Sequence, residues 1–349
     1  MDFGVVLFSH PDSWKAVRRA EELGFSHAWF YDSQMIATDV IVAMTLAAEH
    51  TERIRLGTGV LVPTNRIAPV AACCLASLNQ LAPGRVVCGI GTGFTARNTM
   101  GLGPQPLARL RAYVQVVQRL LRGETVPWRA EGAERLVRFL HPDGGFVNLR
   151  DPIPFHVSAF GPRGRALVAE MADGWITFSG RVSRAADESA AVAAACRDAG
   201  RDPAGLHRSV FTLGCVLAEG EQVDSPRAVA QAGPLAATNW HSLMERLDRG
   251  GAAPEPGSRA AEYRRLYEGY GREAPYLRLH TGHLLFVRDD ERPFISADDL
   301  RANTFTATAA ELRDRARALA AAGFTQLAVQ IVPGHEDALE DWARVFETV

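Results

Sequence analysis

The amino-acid sequence predicts a closed (β/α)₈ TIM barrel with insertions, and three observations carry that expectation. Eight short β-type runs alternate with helical stretches, the order expected of parallel strands joined by crossover helices. The chain finishes on a β run followed by a helix, so its first and last strands can pair and close the sheet. Its 349 residues suit one barrel carrying extra segments, because such barrels exceed the usual length of a domain. An open doubly wound sheet shares the alternation, but eight runs with a terminal β–α unit favour closure.

Phe3–Phe8 reads as the first strand. In Trp14–Leu23 the apolar Ala16, Val17, Ala20 and Leu23 share one helical face, and Gly24 is a natural stop. His27–Tyr31 is the second strand, Val40–Glu49 a helix, Ile54–Val60 the third strand and Pro69–Leu81 its helix. Arg85–Ile90 is the fourth strand, followed by a helix over Ala108–Leu121. Phe155–Ala159, Gly174–Phe178 and Val210–Leu217 continue the strands, with helices over Arg163–Met171 and Ser183–Ala199. A long irregular region precedes the helix Ala309–Ala321, the last strand Leu327–Ile331 and the closing helix Glu336–Phe346.

Residues 1–349 are expected to form one domain with two insertions. Residues 122–153 are rich in Gly and Pro and read as a hairpin excursion. Residues 250–306 are rich in Gly, Pro and charge and hold a helical piece, Ala261–Tyr270. Both are expected over the barrel mouth as substrate-shaping loops, with oligomer contact as the alternative.

Composition narrows the function classes. A hydrophobic share of 47% with 22% charged residues is that of a globular chain with a large core. The net charge of −2, with both signs interspersed, offers nothing that attracts nucleic acid or an anionic membrane. The five cysteines are odd in number and include no C-x-x-C, which fits reduced thiols in a cytoplasmic protein rather than a disulfide or zinc framework. No secretory leader or membrane span is expected.

Ligands of such barrels sit at the carboxyl ends of the strands, which selects candidate positions. Gly89-Ile90-Gly91-Thr92-Gly93 lacks the G-x-G-x-x-G spacing of a dinucleotide fingerprint. Its side-chain-free residues suit either a planar ring lying against the backbone or a tight turn needing positive φ. Phe160-Gly161-Pro162-Arg163 places Gly and Pro at a strand-to-helix junction, suited to a phosphate at the helix N-terminus or to ordinary helix initiation. Arg181 follows the sixth strand, where a guanidinium either grips an anionic substrate or is solvated. His280 and His283 form an H-x-x-H pair with no H-E-x-x-H and no carboxylate at ligand spacing. No metal is therefore expected, and the pair reads as acid/base or hydrogen-bonding groups (catalytic candidates) or as structural residues.

These positions, in this order, resemble the luciferase-like monooxygenase superfamily, in particular its methylenetetrahydromethanopterin reductase branch. The resemblance rests on Ala20–Phe25 with Ala28–Asp32, on Arg53–Val60 with Arg66 and Pro69, and on Leu81–Arg85 with Gly89–Gly93. Met100–Pro104 and Gly161-Pro162-Arg163 with Ala172-Asp173-Gly174-Trp175 complete it. It implies a bacterial-luciferase-like barrel that binds an isoalloxazine-type ring at its mouth, with a non-proline cis peptide at Gly59–Val60. By the same resemblance, the cofactor contacts fall to Asp32, Ser33, Gly59, Val60, Gly91, Ser158, Ala159, Phe160 and Gly161. The last four would serve the cofactor phosphate.

Two departures matter. Sugar-phosphate and alcohol dehydrogenases of this superfamily carry a histidine after the second-strand aspartate and a glutamate closing the fourth-strand motif. This chain has Ser33 and Phe94 there, which removes that acid/base pair. A lysine of the sugar-phosphate enzymes stands where this chain has Arg181, which points Arg181 toward an anionic substrate group. The leading expectation is a monooxygenase using reduced FMN and O₂ on a small organic substrate, with Phe94, Phe160, Phe178 and Trp240 excluding water. Hydride transfer with coenzyme F420 is the alternative, and a non-catalytic flavin-binding homologue a third. NAD(P)H as reductant, a partner flavin reductase and a homodimer complete the expectations.

Overall fold

In the computed structural model, which describes residues 1–347 and 349, eight parallel strands close into a barrel. In chain order the strands are β1 (Asp2–Leu7), β2 (His27–Phe30), β3 (Arg55–Thr58), β4 (Val86–Gly91), β5 (Val126–Ala130) and β6 (Ala133–Val137). They continue as β7 (Phe155–Ser158), β8 (Gly174–Phe178), β9 (His207–Thr212), β10 (Val216–Leu217), β11 (Ala307–Thr308) and β12 (Gln326–Ile331). The barrel runs β1-β12-β9-β8-β7-β4-β3-β2. Closure falls where the terminal β–α unit places it: β1 pairs with β12 over its whole length, Asp2 opposite Gln326 through Leu7 opposite Ile331.

Strand alternation divides the core. Val5, Leu7, Ala28, Phe30, Leu56 and Cys88 face the surrounding helices, while Val6, Phe8, Trp29, Tyr31, Val87 and Phe211 fill the barrel. Gly57 and Gly59 on the third strand, and Gly89 and Gly91 on the fourth, occupy inward positions by the same alternation. The indole of Trp29 takes the space this leaves in the lower layers: a Cβ on Gly57 would stand 2.3 Å from its ring. Its Nε1–H donates to Gln326 Oε1 at 3.0 Å, so the buried indole is satisfied. Above Trp29 the inward glycines leave the barrel open.

Three sequence expectations are corrected. The excursion after helix Leu107–Leu121 is the expected hairpin, β5 with β6, but it does not sit over the mouth. It joins a helix end to the start of β7, and such connections lie at the amino-terminal face. Asn148 accordingly bonds Asn79, near the end of helix Ala68–Leu81. The irregular region after β9 contains a 23-residue helix, Pro226–Asp248. The helix runs through Pro234, and Ala232, Ala236 and Ala237 on it pack on Ile295 and Leu300. Helices Arg259–Glu268, Pro275–Leu279 and Ala297–Asn303 follow before β11. This second insertion starts at the carboxyl end of β9 and roofs the mouth, as expected, but from about residue 213 rather than 250. The expected strand Val210–Leu217 breaks at Leu213, where the chain leaves the barrel for this roof.

Candidate functional site

A cavity of about 240 Å³ opens at the carboxyl ends of the strands, under the roof. Its floor is Phe8 and Tyr31, and its wall is Asp32, Ser33, Gly59, Val60 and Gly91 through Ala96. Ser158, Phe160 and Phe178 close the far side, and Leu235, Thr238, Ser242, His283 and Leu284 come down from the insertion. The lining is overwhelmingly apolar with a few placed polar groups, the composition of a small-molecule site.

The glycines shape one wall. A Cβ on Gly91 would lie 2.9 Å from Val60 Cγ2, and one on Gly93 2.5 Å from Val62 Cγ1. The Gly59–Val60 peptide is cis, at the position the resemblance implies. Asp32 holds this wall from behind. Its carboxylate accepts from Val62 N–H at 2.9 Å and from Arg66 at 3.0 Å, and Arg66 also pairs with Asp39. The carboxylate is thus committed to the backbone that follows the cis bond. A flat ring of isoalloxazine type fits such a ledge, since side chains on Gly91 and Gly93 would collide with the wall.

On the far side, helix Gly161–Met171 begins with Gly161 at φ +70° and no side-chain cap. Gly164 lets this helix sit against the end of β7, where a Cβ would meet the Ala159 backbone at 2.9 Å. Uncapped N–H groups and the positive helix end suit a phosphate. Ser158 and Phe160 face the cavity, but Ala159 and Gly161 do not line it. The Ala159 side chain is in the core, and its carbonyl accepts from Trp175 Nε1 at 3.3 Å.

Three other expectations change. Arg181 is exposed and turned away from the cavity; it is bound to Asn303 Oδ1 at 2.8 Å and to Ala302 O at 3.0 Å. It fastens the roof helix Ala297–Asn303. Trp240 also misses the cavity, stacking on Tyr263 with ring centroids 5.2 Å apart and donating to Phe294 O. His280 is buried behind the wall, with Nε2 3.0 Å from Glu245 Oε1. His283 alone of the expected pair lines the cavity, its Nε2 3.3 Å from Thr95 Oγ1. Phe94, Phe178 and Ser33 line it.

Sequence reasoning missed Leu235, Thr238 and Ser242. Their helical spacing was the available signal, interrupted by Pro234. His241, on the same helix, was missed for the same reason; its Nδ1 lies 2.9 Å from His283 Nδ1 and its Nε2 2.7 Å from Glu291 Oε1. Burial drives the imidazoles of His241 and His283 well below the usual histidine range, so both are neutral at pH 7. Burial pushes the Tyr31 phenol up, and its O–H donates to Gln330 at 2.8 Å. Glu291 is raised by burial although Arg288 lies 2.8 Å away.

A 5,10-methylenetetrahydromethanopterin reductase from Methanolobus tindarius is 30% identical over 186 residues, 53% of this chain and 55% of that protein. An F420-dependent glucose-6-phosphate dehydrogenase from Nakamurella multipartita is 36% identical over 139 residues, 38% of this chain and 39% of that protein. The chain thus spans about half or less of the length of these curated relatives. Among solved structures, the coenzyme F420-dependent tetrahydromethanopterin reductase from Methanopyrus kandleri matches with a TM-score of 0.74 at 20% identity, over 99% of this chain and 98% of that one. The oxygenating constituent of 3,6-diketocamphane monooxygenase from Pseudomonas putida, in complex with FMN, matches at 0.63 and 13%, over 99% and 96%. At these identities the structures show the shared fold. The family model for luciferase-like monooxygenases matches residues 2–326, and the chain belongs to that family.

Proposed function

We propose that this protein is an oxidoreductase that binds a deazaflavin of the coenzyme F420 type and acts on a small organic substrate. The observation that carries the reading is the apolar cavity with its Gly91–Gly93 wall beside the Gly59–Val60 cis peptide, a ledge for a planar tricycle. The curated relatives favour the deazaflavin over the FMN monooxygenase expected first, because those at 30% and 36% identity are a methanopterin reductase and an F420-dependent dehydrogenase. When bound, the deazaflavin supplies hydride chemistry.

The chain's own residues divide the remaining work. Gly59, Val60 and Gly91 support the ring, Asp32 keeps that backbone in place, and Ser158 with Phe160 borders the cofactor's polar tail at the helix N-terminus. Phe94 and Phe178 exclude water from the reacting face. Neutral His283, with Thr95, offers the substrate a hydrogen-bonding edge. Val42, Ile67 and Val70 are exposed on or beside two packed helices, which favours a homodimer as the working state.

Titration of the purified chain with F420 and with FMN, followed by absorbance and fluorescence, tests this. F420 should bind at micromolar concentration and more tightly than FMN. Tighter FMN binding with O₂ consumption after reduction would restore the monooxygenase reading, with its need for a reductant or partner reductase. Binding of neither tricycle would end the redox reading.

A further inference from the structure

The cavity roof holds a cluster of three buried histidines whose ring nitrogens converge. His241 comes from the middle of helix Pro226–Asp248; His280 and His283 come from the turn after Pro275–Leu279. All three are buried, and one ring nitrogen of each lies within 4.8 Å of the others. The Nδ1 of His283 is 2.9 Å from Nδ1 of His241 and 3.2 Å from Nδ1 of His280. Each outer nitrogen meets an oxygen: Glu291 at 2.7 Å for His241, Glu245 at 3.0 Å for His280 and Thr95 at 3.3 Å for His283.

A neutral imidazole carries one proton on one nitrogen. With the Glu291 carboxylate at its outer edge, His241 holds its proton on Nε2. Nδ1 of His241 and Nδ1 of His280 both face Nδ1 of His283, so three ring nitrogens converge on one point. Glu245 adds a second, independent sign. It is 7% exposed, its contact with His280 falls outside hydrogen-bond geometry, and neither carboxylate oxygen has a hydrogen-bond partner among the described residues. Arg288 balances Glu291, whereas Glu245 faces only the His280 ring, at 3.0 Å. A buried carboxylate in that state is expensive unless positive charge lies close.

We propose that His241, His280 and His283 bind one divalent transition-metal ion of the zinc class through their three Nδ1 atoms. The ion gives all three converging Nδ1 atoms one partner. Tetrahedral zinc with bonds of about 2.0–2.1 Å sets its ligand nitrogens roughly 3.3–3.4 Å apart, close to the 2.9 and 3.2 Å that separate His283 Nδ1 from its two neighbours. Carboxylates on the outer nitrogens of two ligands are the usual support for zinc-bound histidine, fixing the tautomer and raising basicity. Water takes the fourth position. The ion joins the long roof helix to the 280–283 turn and holds the His283 proton on Nε2, beside Thr95. The cavity edge there becomes a donor. The proposal stands independently of which cofactor the barrel binds.

The test is metal binding by the full-length, untagged chain after treatment with a chelator and dialysis. Zinc or cobalt(II) should bind at one equivalent per chain, cobalt should show the visible absorption of a low-coordinate site, and zinc should raise Tm reversibly. His241→Gln should abolish stoichiometric binding, and Glu291→Gln should weaken it about 10–100-fold, as loss of an outer-nitrogen partner does. Absence of one-equivalent binding and of any Tm shift in the wild-type chain would overturn the proposal, whatever the variants do. Binding unchanged in a folded His241→Gln chain would overturn it as well.

Discussion

Gly91 is where one absent side chain has the clearest consequence. A methyl there would stand 2.9 Å from Val60 Cγ2 and 3.3 Å from the Ser158 carbonyl oxygen, on the wall proposed to carry the ring. Forced overpacking of this kind costs about 1–3 kcal/mol, so Gly91→Ala should raise the cofactor Kd roughly 10-fold or more. A fluorescence titration reads this directly, and an unchanged Kd would remove Gly91 from the binding wall. Arg181 illustrates the reverse case. Its position after a barrel strand was legible and its partner was not, because Asn303 lies 122 residues away in the chain. Arg181→Ala should leave KM within about twofold, the scale of losing a solvated contact. It should also open the segment around 297–308 to limited proteolysis. A large rise in KM with unchanged proteolysis would return Arg181 to the substrate.

Among the elements, the third strand and the turn after it bear most on function. Its inward glycines make room first for Trp29 and then for the cavity, and Asp32 from the neighbouring strand end accepts from the backbone just beyond the cis bond. Asp32→Ala would remove one partner of a buried ion pair and orphan the Val62 N–H. Arg66 keeps Asp39, so the loss should be about 2–3 kcal/mol, below the range for a wholly unpaired buried charge. Denaturant unfolding measures it, and cofactor affinity should fall in parallel. A fully stable variant with weakened binding would mean that Asp32 touches the cofactor without holding the wall. The strand and most helix positions were legible because periodicity and stop signals are local. Helix Pro226–Asp248 was not, because its continuity through Pro234 depends on packing against residues some sixty positions on.

At the scale of the whole molecule, burial sets an acid limit. His27, in the lower barrel, has its pKa depressed to about 3 from 6.5, chiefly by burial and then by the neighbouring His207 and Arg55. The unfolded side chain therefore takes up its proton well before the folded one. Between about pH 6.5 and pH 3 the unfolded state binds more protons, so stability falls as pH drops, by roughly 1.4 kcal/mol per pH unit for this one group. Above pH 6.5 the group contributes no slope. His156 and His207 are depressed in the same direction and steepen the decline. Tm measured across pH 4–8 should be flat above about 6.5 and fall below it, with a shallower fall in His27→Gln. A Tm that holds down to pH 4 would mean these imidazoles are not buried as described.

By itself the sequence determined the closed barrel, the inward glycines, the cis position and the mouth as the place for a ligand. The barrel, the glycines and the mouth follow from spacing along the chain, which a strand's alternation converts into sides of a wall, whereas the cis position follows from the family resemblance. Only the tertiary structure decided which distant groups meet there. It took Arg181, Trp240 and His280 away from the cavity, and it brought His241 from an unrecognised helix to the side of His283. The reason is physical: local periodicity says which way a side chain faces its own element, whereas its partner depends on how separate elements pack to bury apolar surface. That packing is a property of the whole chain.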